Sequence, residues 1–160
     1  MKLIKVISGG QTGVDQAALR AARTCGIKTG GWAPRNWMTL SGPQRDMLQG
    51  FGLSEHSEGY AARTDANVRD SDATIRIASD FKSAGEKLTK LCTLRHSKPR
   101  CDFLVIGGDI NTNEYFQGLR AFLITHDVRV LNVAGNSEQT SPGIGSVAEK
   151  FLLSVFRSLQ

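Results

Sequence analysis

No apolar run in this chain approaches the ~18 residues that a membrane-spanning helix requires, and the N-terminus carries no signal-peptide core. Cysteine is scarce. Cys25, Cys92 and Cys101 are odd in number and lack C-x-x-C spacing, which argues against a zinc cluster or a disulfide framework and for reduced, small core residues. His56, His96 and His126 stand apart from one another, so no metal set is expected. Aromatic residues make up only 7% of the chain, and the basic residues form no tail or stripe with stacking rings between them, which argues against nucleic acid. Together these absences predict a cytoplasmic protein with neither a membrane nor a nucleic-acid partner.

What remains is one domain's worth of chain, residues 1–160, with 40% hydrophobic residues and a net charge of +5 that favours small anionic partners. Short β-type runs alternate with longer helical ones. Strands are predicted over Lys2–Ser8, Thr29–Ala33, Ala73–Ile77, Phe103–Ile106 and Val128–Val133. Helices are predicted over Gly13–Cys25, Tyr60–Ser71, Ser83–His96, Asn113–His126 and Ile144–Leu159. Such alternation predicts an α/β fold with a mainly parallel sheet covered on both faces, and places a ligand beyond the carboxyl ends of the strands. The stretch Pro34–Leu53, rich in Gly and Pro and carrying Trp37, Met38, Met47 and Phe51, fits no regular element; it reads as a lid or an oligomer contact.

The first strand runs into Ser8-Gly9-Gly10-Gln11-Thr12-Gly13 and then a helix. Glycines at a strand-to-helix turn let backbone N–H groups and the positive end of the helix dipole converge on a phosphate or another oxyanion. The loop is not a Walker A sequence, since no Gly-Lys-Ser/Thr follows, and no acidic residue stands where an NAD ribose would need one. A tight turn with no ligand is the alternative. Further on, Arg63, Asn67 and Asp70 share one helical face, either as a ligand-facing stripe or as a solvated face laced with ion pairs. Asp72 is expected to order the glycine loop by accepting backbone N–H bonds. Asp15 lies in the first helical turn, Asn132 ends the last strand, and Trp32 offers a stacking surface for a flat ring.

Four blocks carry a wider likeness: Ser8-Gly9-Gly10-Gln11-Thr12-Gly13-Val14-Asp15; Gly30-Gly31-Trp32-Ala33-Pro34; Tyr60 to Thr74 with Arg63, Asn67, Asp70 and Asp72; and Val130-Leu131-Asn132-Val133-Ala134-Gly135. With Ser141-Pro142-Gly143-Ile144, they make the chain resemble, nearly end to end, the "putative molybdenum carrier" family, relatives of the molybdenum cofactor carrier and of the lysine-decarboxylase-like (LOG) proteins. The resemblance implies a Rossmann-like three-layer α/β/α fold and a pocket formed by Gly9, Gly10, Gln11, Thr12 and Gly13, the Arg63/Asn67 face, and a loop entering the third major helix. That loop reads roughly Gly-Gly-Thr-x-x-Thr in the family. Here it is Ala84-Gly85-Glu86-Lys87-Leu88-Thr89, keeping Gly85 and Thr89 but setting a carboxylate, Glu86, where a hydroxyl is usual. The acidic pair that tends to follow the Trp-Ala-Pro turn is absent from Arg35 to Gly42.

The reading is therefore a non-catalytic carrier for a small anionic ligand (a pterin or nucleotide), by resemblance the molybdenum cofactor or molybdate. Arg63 and Arg35 would supply charge, Trp32 would cover the ring, and Asp15, Asp70, Asp72 and Asn132 would support the site. The alternatives are a nucleoside-monophosphate glycosidase like the LOG proteins, with Glu86 as its carboxylate, and a sensor or sequestering protein for nucleotide signals. By resemblance, a homodimer or homotetramer is expected.

Overall fold

The computed structural model describes residues 2–110 and 112–160. Its main sheet is built from β1 (Lys5–Ile7), β2 (Lys28–Ala33), β5 (Leu53–Glu55), β6 (Ala73–Ala78), β7 (Arg100–Leu104) and β8 (Val130–Gly135). All neighbours are parallel, in the order β5-β2-β1-β8-β6-β7. The chain moves from β1 outward to β5, then crosses to β6 and β7 before returning to fill the gap beside β1 with β8. Two further strands, β3 (Met38–Thr39) and β4 (Gly42–Pro43), form a small antiparallel hairpin.

Helices α1 (Val14–Thr24), α5 (Asn113–Thr125) and α6 (Ile144–Arg157) pack together over one face of the sheet, and α3 (Tyr60–Arg69) and α4 (Ala84–Arg95) over the other. The arrangement is a three-layer, Rossmann-like α/β/α fold. Small residues on α1, Ala17, Ala18, Ala21 and Ala22, admit Phe151, Leu152 and Val155 of α6 into one buried cluster. Every residue of β6 is buried, as a central strand covered on both sides requires. Within it Arg76 is a lone charge, only 3% exposed.

The sequence and the structure part company at short elements. The stretch 34–53 is structured: a turn at Arg35–Trp37, the β3–β4 hairpin, and α2 (Arg45–Gly50), followed by the edge strand β5. Leu48, Phe51 and Leu53 bury the apolar side of this segment against Leu19, Ala33 and Trp37. Strand β1 is shorter than expected. β7 ends at Leu104, because Ile106 turns out of the sheet and is 70% exposed, paired only with Asp109 across a tight turn. β8 runs to Gly135, two residues further than expected, because β6 pairs with it as far as Ile77↔Gly135.

Among the described residues no helix is long and apolar enough to cross a membrane.

Candidate functional site

The reversal of strand order leaves a crevice at the carboxyl ends of β1, β6 and β8, the place where open α/β sheets receive ligands. A cavity of about 410 Å³ lies there. Gln11 and Asp15 approach it from the β1–α1 turn, Tyr60, Arg63 and Thr64 from α3, and Ser83 to Glu86 with Thr89 from α4. Asn136, Ser137 and Thr140 come from the loop after β8, and Leu40 from the tip of the β3–β4 hairpin. Leu40 is tied over the cavity mouth: its N–H donates to Gln11 Oε1 at 2.8 Å and its carbonyl accepts from Gln139 Nε2 at 3.2 Å.

The glycine loop is organised around internal acceptors. Asp15, 4% exposed, turns its carboxylate back to accept the Gln11 N–H at 3.1 Å, and the Gly9 N–H also favours its charged form. Thr12 N–H donates to Gln11 Oε1 at 2.9 Å, and Gly10 N–H to Ser8 Oγ at 3.3 Å. The expected cradle of free amides from Gly9 to Gly13 is therefore narrowed: the protein's own side chains take up the N–H groups of Gly10, Gln11 and Thr12. The glycines answer to packing instead. A Cβ on Gly9 would stand 1.9 Å from the Arg63 guanidinium, and one on Gly10 2.7 Å from Leu48. Gly13 has φ 86°, and a Cβ there would lie 2.4 Å from the Asn136 carbonyl. The start of α6 is closed in the same way, with Glu138 accepting the N–H groups of Gly143 and Gly145 at 2.7 and 2.8 Å.

Arg63 lies across Gly9 with its side chain 13% exposed. Its contacts are thin: one terminal nitrogen donates to Thr64 Oγ1 at 3.3 Å and stands 3.8 Å from Asp15, the Tyr60 ring lies 5.6 Å away, and buried Nε has no partner among the described residues. Burial lowers the guanidinium from its usual range while Asp15 holds it up, and burial raises the Asp15 carboxyl against the pull of Arg63 and the two N–H groups. Buried Thr12 Oγ1 is also without a hydrogen-bond partner among the described residues.

On the opposite wall Glu86, 3% exposed, is pushed up to about 7. Burial is the main cause, opposed by Arg76 and reinforced by Asp15, Asp102 and Asp80. Ser83 caps α4 by accepting the Glu86 N–H at 3.4 Å. Gly85, whose missing Cβ would meet nothing within 4 Å, leaves the first turn of α4 open to the cavity.

Of the predicted ligand residues, Gln11, Arg63, Gly85, Glu86 and Thr89 line the cavity; Gly9, Gly10, Thr12, Gly13, Trp32, Arg35 and Asn67 do not. Asn67 is buried, and its amide is spent on Trp32, accepting its N–H at 2.8 Å and donating to its carbonyl at 3.0 Å. It thus continues the sheet ladder where β1 has ended. Trp32 donates its indole N–H to Asp70 at 2.8 Å and packs edge-on against His56, so it supplies no stacking wall; Arg35 is exposed. Asp72 does not touch the glycine loop. It accepts the N–H groups of Arg129 and Val130 at 2.9 and 2.7 Å, at the start of β8, and buried Asn132 donates to Thr74 at 3.2 Å. Thr64, Ser83, Asn136 and Thr140 also line the cavity, and no pattern in the sequence marks them out.

Among the described residues no group of three or more His, Cys, Asp or Glu side chains is placed to hold a metal ion.

This geometry can be set beside known proteins. Residues 6–156 match the model of the circularly permutated YpsA SLOG family. The chain belongs to that family. A crystal structure of a protein from Syntrophus aciditrophicus, named "putative molybdenum carrier protein", superimposes with a TM-score of 0.85 at 32% identity, covering 96% of this chain and 94% of that one. No curated protein matches the chain.

Proposed function

We propose that this SLOG-family chain is a binding protein for a small anionic ligand, held between Arg63 and the open first turn of α4. By likeness to the Syntrophus aciditrophicus protein, the ligand would be the molybdenum cofactor or molybdate. The observation that carries this reading is Arg63: a nearly buried cation on a cavity wall with one long hydrogen bond, a 3.8 Å ion pair and an orphaned Nε. A buried charge so poorly partnered costs several kcal/mol. An anion in the cavity offsets that cost, and the cavity is of a size that accepts a pterin or a nucleotide. The N–H groups at the start of α4, the helix dipole and the hydroxyls of Ser83 and Thr64 add donors on the same side.

The expected outcome is a thermal shift with one of molybdate, pterins or nucleotides. Loss of a charge-assisted hydrogen bond in Arg63→Met should then weaken affinity between about tenfold and a hundredfold. Unchanged affinity in that variant would reject the site.

A second reading is favoured by Glu86. A carboxyl that titrates at about 7 beside a cavity can give a proton to a leaving group, as glycosidic cleavage of a nucleoside monophosphate requires. Release of a free base on incubation with such a nucleotide would select this reading. Binding without turnover leaves the carrier, or a sensor of nucleotide signals. We place the protein in the cytoplasm and its self-association on the exposed face of α4, where Leu91 and Leu94 are 51% and 65% exposed, with light scattering as the test.

A further inference from the structure

Behind the wall of the cavity runs a chain of charges that the sequence did not disclose. Asp102 on β7 and Arg76 on β6 are register partners in the sheet. Arg76 Nε and one terminal nitrogen donate to the two oxygens of Asp102 at 2.8 and 2.6 Å, a bidentate grip. Its other terminal nitrogen donates to the Glu86 backbone carbonyl at 2.7 Å and, more distantly, to the Glu86 carboxylate at 3.4 Å. The guanidinium is stacked on Phe81 at 4.6 Å, so its plane is fixed as well as its edges. Asp102 is also approached by Arg100, at 3.2 Å, on the outer side of the edge strand.

We propose that Asp102, which lies outside the cavity, is a positioning residue that sets, through Arg76, the protonation of Glu86 and thereby the pH range in which the cavity accepts an anion. The proposal rests on the reading of the cavity as an anion site. A cross-strand clamp alone would need only the Asp102–Arg76 pair. Here the same guanidinium reaches on to Glu86 and is held so that its three short hydrogen bonds go to Asp102 and to the Glu86 backbone carbonyl rather than to that carboxylate.

The charges facing Glu86 are Arg76 from β6, Asp102 from β7, Asp15 from α1 and Asp80 from the turn after β6, with Arg63 of α3 on the same cavity. Three carboxylates therefore oppose its ionisation, and Arg76 favours it. Removing Asp102 takes away one opposing charge and frees Arg76 to turn its donors onto Glu86. Removing Arg76 does the reverse. An ionised Glu86 at the mouth of α4 repels an anion; a protonated one offers it a donor.

The test uses the full chain labelled with carbon-13 at the glutamate carboxyls, with the Glu86 resonance assigned by its loss in Glu86→Gln. Titration from about pH 5 to about pH 9 should show the Glu86 midpoint moving down by about one unit in Asp102→Asn and up in Arg76→Gln. Either variant that folds reads the relay, because the two shifts are opposite in sign. In parallel, the affinity for inorganic sulfate, whose own charge is constant over this range, is measured by calorimetry. Its pH dependence should follow the Glu86 midpoint from variant to variant and vanish in Glu86→Gln. A Glu86 midpoint that stays in place in the folded variants overturns the proposal and leaves Asp102–Arg76 as a strand clamp. A midpoint that moves while sulfate binds at no pH overturns the anion reading and leaves the control of Glu86 by Asp102 standing.

Discussion

Two strand-to-helix turns meet at the cavity, and they behave in opposite ways. The turn from β1 into α1 has three glycines and the look of a phosphate loop, yet Ser8, Asp15 and Gln11 occupy the N–H groups of Gly10, Gln11 and Thr12. The approach to α4 has a single glycine, yet its first turn opens directly on the cavity. The difference is in what stands where a Cβ would be. Around Gly9, Gly10 and Gly13 it is the protein itself; around Gly85 it is empty space. Glycine at a helix start therefore marks close approach, and only the structure says whether the approaching group is a ligand or another part of the chain.

The largest effect that sharpens this contrast is on stability. Gly13 and Gly143 share φ 86°, but Gly143, at ψ −4°, is left-handed helical whereas Gly13, at ψ −126°, adopts a conformation that favours glycine more strongly; a Cβ on Gly13 would also collide with the Asn136 carbonyl and the Glu138 N–H group, while one on Gly143 meets nothing within 4 Å. Gly143→Ala should cost only the left-handed conformation, about 1 kcal/mol. Gly13→Ala adds the overlap and a less accessible backbone conformation, and should cost about 3 kcal/mol, read as a lower urea midpoint at constant slope. Equal losses in the two variants would mean that the glycine loop is free to move off its neighbours, and the internal closure described above would fail.

How much of this was legible beforehand follows from the same contrast. The long periodic elements, such as α6 with Ile144, Ala148, Phe151, Leu152 and Val155, declare themselves because one face of 14 residues is apolar. Strand β5 and the β3–β4 hairpin do not: two or three residues carry no period, and the buried residue of β5, Leu53, belongs to a cluster with Leu19, distant in sequence. Arg63 and Asn67 lie one helical turn apart, but only Arg63 points into the cavity, since the Asn67 amide bonds to a strand whose position the helix pattern cannot reveal. The Asp102–Arg76–Glu86 chain was hidden too. Its one visible sign was an arginine inside the otherwise uncharged run Ala73–Ala78.

A middle-sized effect concerns the carboxylates at the two turns. Burial raises both carboxyls, Asp15 against the pull of N–H groups and Arg63, and Glu86 against Arg76 at 3.4 Å with three acids adding to the rise. In the unfolded chain Glu86 titrates near 4.5, in the fold at about 7. Between those values the folded protein keeps a proton that the unfolded chain has released, so stability falls as pH rises through this window. Above it the loss approaches about 3 kcal/mol. Glu86→Gln should therefore raise the melting temperature at pH values above about 7, where the buried charge is removed, and leave it nearly unchanged near pH 4.5, where wild-type Glu86 is itself protonated in the fold. A stability difference that does not vary with pH would mean that Glu86 ionises freely in the fold and that burial at the start of α4 imposes no penalty on its charge.

The smallest change should be the most selective. A methyl group on Gly85 meets nothing in the protein, and alanine is the better helix former by up to ~1 kcal/mol, so Gly85→Ala should melt at the wild-type temperature or slightly above. The same methyl group projects from the first turn of α4, where a ligand would approach the N–H groups. Affinity for the bound anion should fall several-fold while the unliganded protein is undisturbed, a combination that Gly13→Ala cannot give because it acts on the fold. Calorimetric titration of Gly85→Ala beside the wild type decides it. Unchanged affinity would place the ligand away from α4, on the side of the cavity walled by Leu40 and Thr140, with Arg63 as its anchor and the open helix start as a bystander.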